Sequence, residues 1–321
     1  MPERLVRNPL ASPVPRDLTA PIDFHRSLPD YAVTPLVDAP AAARALGVER
    51  VLVKDESSRL SLPSFKVLGA SWAIHRALAE HPGAERLVCA TDGNHGRAVA
   101  RMARARGLES TVFVPAAMSA GPRDAIAGEG ARVEVVDGTY DEAVERAASL
   151  ADERTLVIQD TAWPGYEDVP AWVIEGYGTI GAEIDAEPDV VAVQIGVGSF
   201  AAAMVRRFAG SRIVGVEPVA AACALASVEA GQTVEVPGPH DSVMAGLNCG
   251  RVSPLAWPVI ARGIEAFATV SDDRARDAVA VLAEDGVSAG ESGAAGLAGL
   301  LAFRDELVLA GTVLVINTER G

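Results

Sequence analysis

Cysteine is scarce in this chain: Cys89, Cys223 and Cys249 are the only three in 321 residues. They lie far apart without paired metal spacing, and an odd, sparse count reads as reduced, mostly buried thiols. His25, His75, His81, His95 and His240 share no metal spacing either, so no metal centre is expected. Long apolar runs are missing as well. Hydrophobic residues make up 49% of the chain, yet none forms the roughly 18-residue uncharged stretch of a membrane span. The opening Met1-Pro2-Glu3-Arg4-Leu5 has no apolar leader core, which makes the cytoplasm the expected setting. Positive charge is in deficit. A net charge of −15 argues against binding to nucleic acid or any other polyanion.

What is present is alternation. Short β-branched runs trade places with longer Ala-rich helical patterns, which predicts mainly parallel sheets covered by helices. Strands are expected near 51–54, 87–90, 110–114, 132–136, 156–159, 190–195, 212–216 and 313–316. Helices are expected over 66–80, 95–106, 122–129, 140–151, 171–185, 200–209, 272–284 and 294–302. The pattern predicts an α/β protein of two domains with a cleft between them. The boundaries expected are 1–66 with 161–321 for a large domain, and 67–160 for a smaller α/β domain.

Four segments carry chemistry. In Ser64-Phe65-Lys66-Val67-Leu68-Gly69 a lysine stands where a polar turn becomes an apolar helix. Partial shelter there lowers an ammonium pKa and makes the amine a nucleophile for a carbonyl cofactor; a lysine snorkelling from the core is the plainer alternative. Thr91-Asp92-Gly93-Asn94-His95-Gly96 follows an apolar strand and opens a helix, so its backbone N–H groups converge on one point suited to a carboxylate or phosphate. Simple helix capping by Asp92 or Asn94 fits the same residues.

Gly196-Val197-Gly198-Ser199 sits between a strand and a helix, the geometry of a phosphate cup. Gly196-x-Gly198-x-x-Ala201 also fits a relaxed dinucleotide fingerprint, with Glu217 as its ribose acid. Asp160 follows a strand and is flanked by Trp163 and Tyr166, aromatics able to raise a carboxylate pKa. Met244-Ala245-Gly246-Leu247 and Gly290-Glu291-Ser292-Gly293 are small-residue stretches that permit close backbone approach.

Taken together, these segments resemble the fold-type II pyridoxal phosphate enzymes of the tryptophan synthase β-like family, and within them the diaminopropionate ammonia-lyases. The resemblance runs in order through Phe24-His25-Arg26-Ser27-Leu28-Pro29, Lys54-Asp55-Glu56-Ser57-Ser58-Arg59, Ser64-Phe65-Lys66, Thr91 to Gly96, Gln159-Asp160-Thr161-Ala162-Trp163 and Thr318-Glu319. Threonine dehydratases usually carry Ala or Ser where this chain has Asp92.

The resemblance implies that Lys66 holds pyridoxal 5′-phosphate as a Schiff base and that Asn94 bonds its ring hydroxyl. Gly196, Val197, Gly198 and Ser199 would cradle the phosphate, which displaces the dinucleotide reading. Thr318, chosen over Asn317, would face the pyridine nitrogen; Asn317 and Arg320 depart from the family pattern here. Thr91, Asp92, Gly93, Asn94 and His95 would grip the substrate carboxylate. Lys66, Asp92 and Asp160 would be catalytic, with Asp92 serving the D-substrate and Asp160 the L-substrate. The implied activity is elimination of the β-amino group of 2,3-diaminopropionate to pyruvate and ammonia by a homodimer. A serine or threonine dehydratase, a β-replacement enzyme and a catalytically silent cofactor-binding protein are the alternatives.

Overall fold

β-Branched runs pair into two sheets and Ala-rich runs cover them in the computed structural model, which describes residues 2–91, 93–138 and 140–321 without the side chain of Asp141. The chain divides into two compact units, Met1–Phe65 with Tyr177–Gly321, and Lys66–Gly176. In chain order the strands are β1 (Arg4–Arg7), β2 (Leu36–Asp38), β3 (Arg50–Asp55), β4 (Arg86–Ala90), β5 (Glu109–Pro115), β6 (Arg132–Val136), β7 (Thr155–Val157), β8 (Val190–Gln194), β9 (Arg212–Pro218), β10 (Ala266–Val270) and β11 (Thr312–Asn317).

The larger unit holds a sheet of order β1-β10-β9-β8-β11-β3-β2. Its interior pairs are parallel, and the edge strands β1 and β2 pair antiparallel. β8 and β10 are buried along their whole length, so neither shows the alternation of a half-solvated strand. β10 was not expected from the sequence. Its Ala-Phe-Ala-Thr-Val run is short and lacks the alternation that marks a strand. The helix Glu291–Ala302, buried from Ser292 through Leu300, lies against β8, β9 and β11. Small side chains permit that approach.

A closed ionic cluster anchors the segment leading toward Lys66. Nζ of Lys54 lies 2.6 Å from Glu183, and Arg59 lies 2.7 Å from both Glu56 and Glu183, all with side chains at most 1% exposed. Two cations and two carboxylates balance there, which is what permits their burial. Just past Arg59, Leu60 and Ser61 take left-handed backbone at φ 48° and 60°, strained for residues with a Cβ. The Lys54–Arg59 motif is therefore a buried clamp in the larger unit.

The smaller unit carries a parallel sheet of order β6-β5-β4-β7. Its helix Lys66–Glu80 packs on the helix Asn94–Ala105. The helix Asp168–Ala182 starts three residues before the expected Ala171. Pro170 falls in its first turn, where a missing N–H costs nothing. β7 ends at Val157 rather than Gln159 because the Gln159 N–H leaves the ladder for the Tyr166 hydroxyl, 2.9 Å away. Among the described residues no helix is long and apolar enough to cross a membrane.

Candidate active site

The chain contains two lysines, Lys54 and Lys66. Lys54 is fully buried, donating to the Thr34 carbonyl at 2.8 Å and to Glu183 at 2.6 Å. Lys66 opens the helix Lys66–Glu80, and its side chain keeps 20% exposure. Amine chemistry on an incoming molecule falls to Lys66. That scarcity of lysine was available in the sequence and is a sharper signal than the local motif.

In the smaller unit, β4 and β7 are parallel neighbours, so the segments leaving their carboxyl ends emerge side by side. β4 leads into Thr91 and β7 into Asp160. The Thr91 hydroxyl accepts from the N–H of Gly93 at 2.9 Å and of Gly96 at 3.1 Å. A Cβ on Gly96 would fall 2.4 Å from the Thr91 methyl, so glycine is required for the turn to close. Asn94 begins the helix that follows. Asp92 lies outside the described residues.

Asp160 meets Lys66 directly. Nζ of Lys66 stands 2.7 Å from Oδ2 of Asp160, and Nδ1 of His95 is 4.0 Å from the same oxygen. Burial pushes the Asp160 carboxyl up, but the Lys66 ammonium outweighs it and holds the group down at about 2. The sequence had suggested the opposite shift from Trp163 and Tyr166. Those rings instead stack on each other, centroids 4.1 Å apart, and Tyr166 uses its hydroxyl on the backbone, accepting from Gln159 and donating to the Val157 carbonyl at 2.8 Å. The Tyr166 hydroxyl thereby braces the chain just before the carboxylate. The side chain of His95 was also missed: the sequence pointed only to its backbone, yet its ring is buried beside Asp160.

In the larger unit the Gly196–Ser199 turn leaves the carboxyl end of β8 and enters the helix Ser199–Arg207. Gly198 caps that helix at φ 94°, and a Cβ there would meet Ala256 at 3.0 Å. A Cβ on Gly196 would lie 2.9 Å from the Gly246 carbonyl and 3.3 Å from Cys249 Sγ. The expected small-residue stretches converge here too, since the Gly246 N–H donates to Ser292 Oγ at 3.2 Å.

Past β11, Thr318 Oγ1 accepts from Gln194 Nε2 at 3.0 Å, and its own O–H is a further donor. Asn317 spends its amide on Asp55 at 2.8 Å and on the Ser288 carbonyl at 3.2 Å. Glu217 is not a ribose acid. It is fully buried and accepts from the N–H groups of Ala224 and Leu225 at 2.7 and 2.8 Å.

These features fit a pyridoxal phosphate. A bare glycine turn at a helix start presents N–H groups to a phosphate; Lys66 offers the primary amine, and Thr318 a hydroxyl donor. The profile of the pyridoxal-phosphate dependent enzymes matches residues 28–319, and the chain belongs to that family. Pyridoxal phosphate is its cofactor.

Within the family, the chain is similar to the diaminopropionate ammonia-lyase of Salmonella typhimurium, 34% identical over 92% of this chain and 87% of that protein. It also resembles the crystal structure of the Escherichia coli diaminopropionate ammonia-lyase in complex with an aminoacrylate–PLP azomethine reaction intermediate. That match has a TM-score of 0.92 and 30% identity over 99% of this chain and 94% of that one. A biosynthetic L-threonine dehydratase from Mycobacterium leprae is 31% identical over 94% of this chain and 70% of its own length.

Proposed function

We propose that this protein is a lyase that eliminates the β-amino group of 2,3-diaminopropionate, in its D form, its L form or both, to give pyruvate and ammonia. The observation that carries the reading is the 2.7 Å pair of Lys66 and Asp160, an amine and an acid–base group at one point. The diaminopropionate ammonia-lyases among its relatives support the substrate.

Bound pyridoxal phosphate supplies the electron sink that makes an α-proton removable. Lys66 would hold its aldehyde carbon, Asn94 its ring hydroxyl, Gly196 to Ser199 its phosphate and Thr318 its ring nitrogen. The Thr91–His95 turn would grip the substrate carboxylate through backbone N–H groups. Asp160, ionised in the free protein beside the Lys66 ammonium, would accept the α-proton of the L-substrate, and Asp92 that of the D-substrate. A proton returned to the β-nitrogen lets it leave as ammonia. The net charge of −15 favours a substrate carrying two amino groups.

Work as a homodimer in the cytoplasm belongs to the same proposal, supported by chemistry that draws on a free amino-acid pool. Division of labour between a cofactor-binding domain of 1–66 with 161–321 and a smaller domain of 67–160 belongs to it as well. The test is a panel of D- and L-diaminopropionate, serine and threonine, read by release of pyruvate or ketobutyrate. Diaminopropionate should be turned over fastest. Preference for a hydroxy amino acid would transfer the assignment to a dehydratase.

A further inference from the structure

Resting on that reading, we propose that His95 is a positioning residue whose ring nitrogen Nδ1 receives the proton-bearing oxygen of Asp160 during turnover. Nε2 of His95 lies 2.8 Å from the Ile158 carbonyl. A carbonyl only accepts, so Nε2 carries the ring hydrogen and Nδ1 keeps a lone pair. Burial keeps the ring neutral, moving its pKa below 6.5; Lys66 acts the same way, while Asp160 and the Ile158 carbonyl pull back.

Nδ1 is buried, has no hydrogen-bond partner among the described residues and stands 4.0 Å from Asp160 Oδ2. A lone pair and a carboxylate have nothing to share. A carboxylic acid does: once Asp160 is protonated, its O–H can donate to Nδ1 after a carboxylate shift of about 1 Å, reaching an ordinary hydrogen-bond length. The ring is thus complementary to the transient state of Asp160 and not to its resting one, the condition for an interaction to speed a step rather than strengthen binding.

The proton balance is closed. Asp160 takes one proton from the substrate Cα, holds it against Nδ1, and returns it to the β-nitrogen as the Cβ–N bond breaks. Facing the ring among the described residues are Asp160 from the segment after β7 and Lys66 from its helix. Beyond them stand the Cys89 thiol of β4 and the Tyr166 phenol, both pushed up by burial and so neutral.

The test combines His95→Gln with the tautomer of the wild-type ring. Glutamine places an amide nitrogen where Nε2 lies, keeps the Ile158 bond and deletes Nδ1. In cofactor-loaded enzyme the L-over-D ratio of diaminopropionate turnover should fall at least about tenfold. The acid limb that the neutral ring gives the L-isomer rate, below 6.5 in the wild type, should vanish. Nitrogen NMR of the apoenzyme should show hydrogen on Nε2; hydrogen on Nδ1 would overturn the inference whether or not the variant folds. Asp160→Asn is assayed alongside. If it abolishes L-isomer turnover while His95→Gln leaves the ratio and the limb unchanged, the inference alone fails. If Asp160→Asn spares the L-isomer, the underlying reading fails first.

Discussion

Nζ of Lys66 and Oδ2 of Asp160 are 2.7 Å apart although 94 residues separate them in the chain. The contact is made inside the smaller unit, where the first residue of one helix meets the segment that leaves the carboxyl end of β7. The ammonium holds the carboxyl near 2 in spite of its burial. In the proposed function this ion pair stores the nucleophile and the base side by side.

The two acids should divide the enantiomers. Asp160→Asn should reduce L-diaminopropionate turnover by about a hundredfold or more, a general base being worth roughly that much, with much less effect on the D-isomer. Asp92→Asn should do the reverse. Steady-state pyruvate release on each pure enantiomer reads both, and equal losses on both isomers would contradict separate bases.

Gly198→Ala tests the cup. At φ 94° and with Ala256 only 3.0 Å from the new Cβ, alanine bears a left-handed penalty of roughly 1–2 kcal/mol, and the turn must open to relieve it. Cofactor titration by visible absorbance should show binding weakened about tenfold, the equivalent of about 1.4 kcal/mol. Unchanged affinity would remove this turn from the phosphate site.

Removing one member of the buried cluster should cost stability rather than chemistry. Glu183→Gln leaves Lys54 and Arg59 buried with Glu56 as the remaining carboxylate, a loss of about 3–5 kcal/mol by urea unfolding. Asp23→Asn breaks an exposed pair with Arg26 and should shift the same curve by less than about 0.5 kcal/mol.

Glu217 gives a pH dependence of definite sign. Burial lifts its carboxyl from the ordinary 4.5 to about 7, against the pull of the Ala224 and Leu225 N–H groups. Between those values the folded chain binds a proton that the unfolded chain has released, so this group's contribution to stability falls as pH rises from 4.5 to about 7 and then levels. The full swing is on the order of 3 kcal/mol. Urea unfolding of wild type and Glu217→Gln across that range should diverge accordingly; parallel curves would show that the carboxyl is not raised.

Legibility followed locality. The helix Lys66–Glu80 and the helix Asp272–Glu284 have the bounds expected from their patterns, and the glycine turn after β8 is a property of consecutive residues. What depended on partners distant in sequence was hidden. The ring of His95 acquires its tautomer from a carbonyl 63 residues away. Glu217 stands at the spacing of a ribose acid but turns inward to hold a helix start. Trp163 and Tyr166 looked like a desolvating wall for Asp160, yet an ammonium from another element decides that carboxyl's state. Periodicity reports which residues are buried, and it does not report what charge they are buried with.

The most direct measurement is borohydride reduction of the cofactor-loaded protein followed by peptide mass mapping. With two lysines in the chain, the outcome is binary. The pyridoxyl mass is expected on the peptide carrying Lys66 and not on that carrying Lys54. A stable adduct on Lys54, or none on either after a visible band has been confirmed, would contradict the assignment of Lys66 on which the chemistry depends.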